Sequence, residues 1–470
     1  MSKESRSGYL IKNTALFAIG NMGTKVINFL MVPLYTYALS TEQYGTINTA
    51  TSICYMIIPL IMCNIGEAVR RYLLEKDSDK HAVQAVELLW FACGAVISFL
   101  VYCILRCVPG WNIYALEISL YTLMNAFVGT SLEYLRGKEK LQIYTACGIL
   151  QTFMVAVLNL LFIVKLGYGV RGYFWAYIIA YTICGMLAFI LGEQFQDMRK
   201  LRFDKKIYKE MSKFSLTLVP HSVMWWITNS SDRLMVTYMV SASANGIYSV
   251  AYKIPTIMST LNMILMQAWQ HSAIKEVDSE DRLEYNSQMY KLYMAGIFIV
   301  GAGLLFINRP FIQLYVAPEY REAWKYSPYL IVSSVFSMLG TFVGTSYYVE
   351  KDMKGNLLSA TVGAICNVCL NLALIPYMGA TGAALATCVS YIVVFCYIAK
   401  DTQKYLPLNV FSSQFKKQAV VIGYMLACSF MTGILGYILL GIGMLAILFL
   451  NKEFMLETIK KFMNKVKKSK

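Results

Sequence analysis

Charged side chains are scarce in this 470-residue chain, and the scarcity excludes several classes of protein. Asp, Glu, Lys and Arg together supply 15% of the residues, and histidine occurs three times. The chain has no Walker or dinucleotide-binding loop and no H-E-x-x-H motif. Its longest loop between apolar segments, near residues 308–328, has roughly twenty residues, too few to house a nucleotide-sugar site. We therefore expect no enzyme and no cofactor.

Apolar residues are instead abundant over the whole length. They make up 57% of the sequence, and the mean hydropathy is +0.51. Stretches of about 20 apolar residues recur between charged breaks, which is the length that crosses a bilayer as a helix. We predict an all-α integral membrane protein with fourteen transmembrane helices, which begin near residues 13, 46, 84, 112, 142, 171, 214, 246, 286, 324, 356, 380, 417 and 435. The first apolar segment is long enough to span, so we expect no cleavable signal peptide.

Twelve cysteines accompany these segments, and almost all fall within predicted spans, where cysteine acts as a small apolar residue. Cys366 and Cys369 have the spacing of a metal or redox pair. They lie in the middle of a predicted helix without a second pair or a nearby histidine, so we expect no metal site.

Positive charge predicts the orientation of the chain in the membrane. Most of the 42 Lys and Arg residues fall at the two termini and in alternate loops. Such clusters mark the cytoplasmic side, so both termini are predicted to be cytoplasmic and residues 418–451 to form a hairpin of two short spans. The net charge of +15 then reflects orientation and attraction to anionic lipid, without any need for nucleic acid.

Internal similarity divides the chain into two halves. Gly169-Val-Arg-Gly172 and Gly379-Ala-Thr-Gly382 each precede an apolar helix, and each follows a Leu-Asn-Leu triplet. We predict two six-helix lobes, residues 1–200 and 201–405, followed by an extra hairpin and basic tail at 406–470. Six spans per lobe imply parallel repeats related by a pseudo-two-fold axis along the membrane normal, with substrate between them.

Prolines recur at matching places in the two halves. Pro33 and Pro59 fall in the first two predicted helices, and Pro220 and Pro255 fall in the seventh and eighth. A proline inside a helix removes a hydrogen bond and bends the chain. These helices are predicted to support alternating access, or else only to shape static packing.

Three cations inside apolar stretches, Lys25, Arg233 and Lys253, are the main clue to function. A charge at bilayer depth is costly and usually faces a cavity on a substrate or ion path. Lys25 lies about 14 residues from the outer end of its helix, roughly 21 Å deep. Asn21 and Asn28 share its helix face and form a polar stripe. The excess of positive sign favours an anionic cargo.

Arg233 and Lys253 are shallower, each about seven residues from the turn between the seventh and eighth predicted helices. Arg233 shares a helix face with Trp226 and Asn229, which predicts a cavity lining. Asp232 points about 100° away from Arg233 around the helix. A pair between Asp232 and Lys253 across the hairpin is the alternative to a cavity position for Lys253.

Asp232 lies on a second polar face, together with His221, Trp225 and Thr228. Two polar faces suit a helix at a central seam. His221 and Asp232 are candidates for coupling to an ion, although a lone histidine inside a membrane is more often a packing residue.

Several segments together resemble the Wzx-type polysaccharide or O-antigen flippases of the multidrug, oligosaccharidyl-lipid and polysaccharide exporter superfamily. They are Lys12–Lys25 (KNTALFAIGNMGTK), Leu34–Gly45 (LYTYALSTEQYG), Ser231–Val236 (SDRLMV) and Gly246–Lys253 (GIYSVAYK). The resemblance extends from residue 9 to about 450.

This resemblance implies a flippase of the bacterial cytoplasmic (inner) membrane. Its cargo would be a polyprenyl-diphosphate-linked oligosaccharide, moved from the inner to the outer leaflet through a basic central cavity for surface polysaccharide assembly. Lys25, Arg233 and Lys253 are the positions to carry over as cavity cations. Coupling to H⁺, Na⁺ or the membrane potential, and contact with a polysaccharide polymerase, stay open.

Three alternatives to this cargo and activity remain. A lipid II flippase would share the basic cavity. A multidrug cation antiporter of the same superfamily should carry uncompensated acid there, where this chain offers mainly Asp232. A membrane-embedded polysaccharide polymerase or ligase would present a larger external loop.

Overall fold

The computed structural model describes residues 24–75, 78–275 and 279–453. Among these residues the chain is helical without any β-strand. The helices are α1 (24–38), α2 (Thr41–Ile61), α3 (Ile65–Leu73), α4 (Lys80–Cys107), α5 (Ala115–Gly137), α6 (Leu141–Asn159), α7 (Gly169–Leu191), α8 (Gln194–Asp197), α9 (Lys205–Met239), α10 (Ala242–Ala251), α11 (Lys253–Lys275), α12 (Arg282–Tyr315), α13 (Ser327–Val349), α14 (Met353–Met378), α15 (Ala380–Asp401), α16 (Ser413–Cys428) and α17 (Ile434–Leu450).

The all-α membrane class is confirmed, and the chain is a multi-pass integral membrane protein. Seven of the described helices are long and apolar enough to cross a membrane, and α2 with α3 makes an eighth if this pair, bent by 53°, counts as one span. The number fourteen and the cytoplasmic placement of the termini stay predictions. Helix α9 is not among the seven, because its many polar residues lower its mean hydropathy.

Polar caps fix where several helices begin. Ser40 caps α2 through a capping box with Gln43, and Ser241 accepts a hydrogen bond from the backbone N–H three residues on in α10. Such caps satisfy N–H groups that the helix leaves open. In the sequence, Tyr44-Gly45 and Asn245-Gly246 each favour a hairpin turn at corresponding places in the two halves. This prediction is wrong, because both pairs lie inside helices.

The described chain divides into two compact units, one up to Thr237 and the other from Tyr238. In the first unit, apolar side chains of α2 to α5 and α9 pack into one core, which includes Ile61, Ile65, Val83, Tyr134 and Met211. In α4, only 11% of the most apolar stretch is buried, so most of this helix faces outward. An apolar outward face is what contact with lipid requires.

The second unit is built around α13. In this helix 72% of the most apolar stretch is buried, the largest share among the candidate spans. Phe336 of α13 packs against Phe395 of α15 with ring centroids 5.7 Å apart, and Phe415 of α16 packs 5.5 Å from Phe395. The aromatic contacts tie α16 to the helices of this unit.

The two Gly-x-x-Gly motifs play the same structural part, each within its own unit. Gly169 and Gly379 have φ of +52° and +58°, values that only glycine adopts without strain. A Cβ on Gly172 would lie 3.1 Å from the carbonyl oxygen of Phe162, and one on Gly382 would lie 2.5 Å from that of Leu374. In each motif the first glycine makes the turn, and the second lets the helix approach the preceding backbone.

Prolines coincide with two helix breaks. Pro255 is the third residue of α11, and its missing N–H cannot bond to the carbonyl of Ala251, where α10 ends. Pro59 lies two residues before the end of α2, and α3 continues at an angle of 53°. Pro220 lies within the continuous helix α9. A part in alternating access stays a prediction for these prolines and for Pro33.

Candidate functional site

Helix α9 lies along α2 in the first unit and is held there by polar contacts at three levels. The side-chain amide of Asn64, just after α2, donates to the Ser222 hydroxyl at 3.0 Å. The Trp226 indole donates to the carbonyl oxygen of Ser52 at 2.7 Å. Further along, the hydroxyls of Thr49 and Thr237 are 2.6 Å apart. These contacts fix the register in which α9 presents its polar residues to α2.

Arg233 and Asp232 follow on α9 between these contacts. Asp232 is fully buried, and its carboxylate accepts a hydrogen bond from the backbone N–H of Arg233 at 2.8 Å. Arg233 is half-buried and lies within electrostatic reach of the hydroxyl of buried Tyr44 in α2. The two neighbours thus differ in burial, as expected for adjacent residues on different helix faces.

Tyr44 belongs to a larger group of tyrosines in the first unit, here called the tyrosine cluster. Its members come from α1, α2, α5 and α7 and are Tyr35, Tyr44, Tyr55, Tyr121, Tyr173, Tyr177 and Tyr181. Ring centroids are 4.6 Å apart between Tyr173 and Tyr177 and 6.0 Å apart between Tyr35 and Tyr44. The Tyr121 hydroxyl donates a hydrogen bond to the Tyr55 hydroxyl at 3.4 Å. Arg233 is therefore within electrostatic reach of one member of this cluster, Tyr44.

This cluster was not predicted from the sequence. The sequence pattern that could have predicted it is the four-residue spacing of Tyr173, Tyr177 and Tyr181. This spacing places the three tyrosines on one face of α7. Among 34 tyrosines in the chain, many of which suit membrane interfaces, that spacing does not stand out. Aromatic faces with hydroxyls can stack on and hydrogen-bond to sugars, while a guanidinium binds phosphate oxygens.

Other predicted residues fall around this site or outside the described residues. Lys25 and Asn28 are both exposed on α1, whereas Asn21 lies outside the described residues. Trp225 is 53% exposed, and its carbonyl oxygen accepts a hydrogen bond from the Asn229 amide at 2.7 Å. Of the two predicted tryptophans, Trp226 is anchored by its indole N–H.

His221 and Lys253 complete the predicted set. His221 is half-buried on α9, and its buried Nε2 has no hydrogen-bond partner among residues 24–75, 78–275 and 279–453. Lys253 is half-buried and is the first residue of α11, directly after the break that ends α10. The break before Lys253 agrees with the bend that Pro255 predicts in this helix, and a part of Lys253 in a cavity stays a prediction.

A separate cavity of about 500 Å³ lies between α11, α12 and α13 of the second unit. Stacked rings form one side, with Trp269 4.4 Å and Tyr293 4.9 Å from Phe342 between centroids. The Ser272 and Tyr285 hydroxyls bond to each other at 2.7 Å. Four flexible methionines also line it: Met258, Met266, Met289 and Met338. Its volume and apolar lining suit a small apolar ligand or a lipid chain.

Ion pairs join loops to helix ends in both units. Burial alone would raise the pKa of Asp197, but hydrogen bonds from Lys138 and from the Tyr134 hydroxyl hold this pKa below its usual value. In the second unit, a hydrogen bond from the Tyr405 hydroxyl lowers the pKa of Asp352, which also caps α14. Each charged side chain thus stabilises a helix terminus.

Apolar helices define this chain as a multi-pass membrane protein, and comparison with known proteins gives its family. A family model described as polysaccharide biosynthesis protein matches residues 10–270, more than half of the chain. The chain belongs to this family. The predicted resemblance to polysaccharide flippases is confirmed at the level of this family.

Similar proteins extend the match along nearly the whole chain. An uncharacterized membrane protein from Methanocaldococcus jannaschii is 21% identical over 403 residues, which are 82% of this chain and 96% of that protein. A structure of the lipid II flippase MurJ in an inward closed conformation has a TM-score of 0.70 at 14% identity, with 96% of this chain and 100% of that chain covered. An inward-facing multidrug resistance MATE family transporter has a TM-score of 0.67 at 13% identity, with 82% and 98% covered. At these identities the structures show a shared fold.

Proposed function

We propose that this protein is a flippase that moves a polyprenyl-diphosphate-linked oligosaccharide from the inner to the outer leaflet of the bacterial cytoplasmic membrane, for surface polysaccharide assembly. The observation that carries the proposal is half-buried Arg233 within electrostatic reach of Tyr44, a member of the tyrosine cluster, in a chain of the polysaccharide biosynthesis family. A guanidinium is suited to bind phosphate oxygens, and an aromatic surface with hydroxyls is suited to bind sugars.

In this proposal the cations replace water around the diphosphate. A bare pyrophosphate cannot cross hydrocarbon, and charge-assisted hydrogen bonds from Arg233, Lys25 and Lys253 would offset its lost hydration. The aromatic hydroxyls of the tyrosine cluster would in turn bind sugar hydroxyls. An inside-negative potential favours outward movement of an anion by about 2.3 kcal/mol per charge per 100 mV, which helps export.

A second candidate is a lipid II flippase, favoured by the full coverage of MurJ at a TM-score of 0.70. Its cargo has the same diphosphate and differs in the sugar. Transport of a multidrug cation would instead use Asp232, the fully buried carboxylate of α9. The cargo therefore has to be tested directly.

The test is leaflet transfer of labelled lipid in proteoliposomes that contain the purified protein. Three substrates are compared: a polyprenyl-diphosphate oligosaccharide, lipid II and a lipophilic cation. Arg233→Gln is expected to slow transfer of the oligosaccharide lipid by about 10- to 100-fold, because a hydrogen bond to a charged group is worth about 1.5–3 kcal/mol. Lys25→Gln and Lys253→Gln test the remaining cations.

Arg106→Gln is the matched control for Arg233→Gln, because both substitutions remove one positive charge. Arg106 is exposed near the end of α4 and lies outside the proposed site. The control should transfer at the wild-type rate. The proposal fails if all three cation variants fold and transfer like the control, or if wild type moves only the lipophilic cation. Preference for lipid II would select the second candidate.

A further inference from the structure

One buried carboxyl group of the first unit, that of Glu87, forms no ion pair with any cation among the residues that the structure describes. Glu87 lies two turns into α4 and is 4% exposed. Its polar neighbour is Gln194 of α8, whose side-chain amide donates to the two carboxylate oxygens at 3.4 and 3.3 Å. A buried carboxylate held only by a long amide contact is costly, whereas the neutral acid is not.

The polar side chains around Glu87 offer more hydrogen-bond acceptors than donors. Gln84, one turn earlier on α4, and Gln194 are both fully buried. The Gln84 amide donates to the backbone carbonyl of Gln194 at 2.6 Å, which joins the three side chains into one group. The side-chain oxygens of Gln84 and Gln194 have no hydrogen-bond partner among the described residues. A proton on Glu87 would supply the donor that this group of acceptors lacks.

Helix α8 is held against α4 by the Gln194 contacts, and further contacts hold both of its ends. Glu193 precedes α8 with a left-handed backbone, φ +65°, and its carboxylate bonds to Lys140 at 2.8 Å. Asp197 at the end of α8 accepts from Tyr134 of α5 at 2.8 Å. Gln194 thus enters the interior from a short segment whose two ends are held by ion pairs and hydrogen bonds.

We propose that Glu87 is a proton-binding site, and that its proton keeps α8 docked on α4. Loss of the proton leaves a buried negative charge, which is relieved when Gln194 withdraws and water enters. The reaction is a simple exchange of one proton with water, and no other group is consumed. Docking of the segment that leads into α9 would then respond to pH. This inference goes beyond the proposed function and does not depend on the cargo.

Other titratable groups face this region and must be separated from Glu87. From α5, the Tyr134 hydroxyl is within electrostatic reach of Glu87. From α4, His81 lies 3.7 Å from the Asp197 carboxylate, and histidine changes charge near neutral pH. A pH response of α8 has to be assigned either to Glu87 or to His81 by substitution.

The rate of trypsin cleavage next to α8 measures whether α8 is docked on α4. Trypsin cleaves after Lys and Arg, and the exposed residues Arg199, Lys200 and Arg202 lie just after α8. Purified wild-type protein is digested between pH 6 and pH 9, and cleavage after these residues is normalised to a short peptide cleaved at the same pH. We expect cleavage to rise with pH, by up to about tenfold per unit, the slope set by release of one proton. Glu87→Gln, which is permanently neutral, should stay protected throughout.

Two control variants make the result decisive. Glu319→Gln removes an exposed carboxylate from the turn Pro318–Lys325 and should behave like wild type. His81→Gln should keep the pH response. The proposal is overturned if His81→Gln abolishes the response, if wild type and His81→Gln are both insensitive to pH, or if Glu87→Gln retains the wild-type profile. Protection that depends on sodium against choline at fixed pH would show a metal-cation site and also overturn it.

Discussion

Replacing Gly382 with alanine tests a close approach between two helix backbones in the second unit. A Cβ at this position would lie 2.5 Å from the carbonyl oxygen and 2.7 Å from the carbonyl carbon of Leu374, far inside an ordinary contact. Both obstacles are backbone atoms, so α14 and α15 would have to separate by most of an ångström. Overpacking of this kind costs about 1–3 kcal/mol.

Two other glycines provide graded comparisons. The Cβ of Gly172→Ala would lie 3.1 Å from the Phe162 carbonyl oxygen, which a shift of a few tenths of an ångström relieves. Gly423 lies inside α16 with no atom near its would-be Cβ, so alanine there gains up to about 1 kcal/mol of helix propensity. The expected order of stability is Gly423→Ala above wild type, then Gly172→Ala, then Gly382→Ala.

The assay is the thermal unfolding midpoint of each purified variant in the same detergent and lipid mixture. Expression and monodispersity are compared first, so that a failure to insert is not mistaken for a lower midpoint. If Gly382→Ala unfolds at the same temperature as Gly423→Ala, the close approach of the two helices is wrong.

Two further predictions concern single polar contacts. Trp226→Phe should lower the free energy of unfolding by about 1 kcal/mol, because it loses the 2.7 Å bond to Ser52, whereas exposed Trp225→Phe should be neutral; equal midpoints for both would contradict the α9 register. Asp197→Asn should cost about 1–3 kcal/mol at pH 7, since the wild-type carboxylate bonds to Lys138. Because the pKa of Asp197 is lowered in the folded protein, its contribution is present above the unfolded pKa of roughly 4 and is lost as pH falls through the folded value. A difference between wild type and Asp197→Asn that grows toward low pH would refute this assignment.

Local patterns predicted much of the architecture. Long apolar runs predicted the helical membrane class, and the glycine motifs at 169–172 and 379–382 predicted equivalent helix starts, which the structure explains by positive φ and close approach. The turn at Tyr44-Gly45 was wrong because a buried tyrosine and glycine can continue a helix that Ser40 has already capped. The helix break before Lys253 follows from Pro255, whose bend of the chain could be predicted from the sequence.

Some residues of the candidate site could be singled out from the sequence, and others only from the structure. Arg233 was found from sequence because a charge in an apolar run is costly wherever the helix packs. The tyrosine cluster and the buried group around Glu87 were not found, since their members come from several helices and each looks ordinary alone.

The amino-acid sequence by itself determined the membrane class, the helical segments, the cationic positions and the resemblance to polysaccharide flippases, because hydropathy, charge and short motifs are properties of neighbours along the chain. Only the tertiary structure decided that Tyr44 lies within electrostatic reach of Arg233 and that Gln194 covers Glu87, 107 residues earlier in the chain. Such contacts depend on which helix faces meet, and that is settled by packing of whole surfaces.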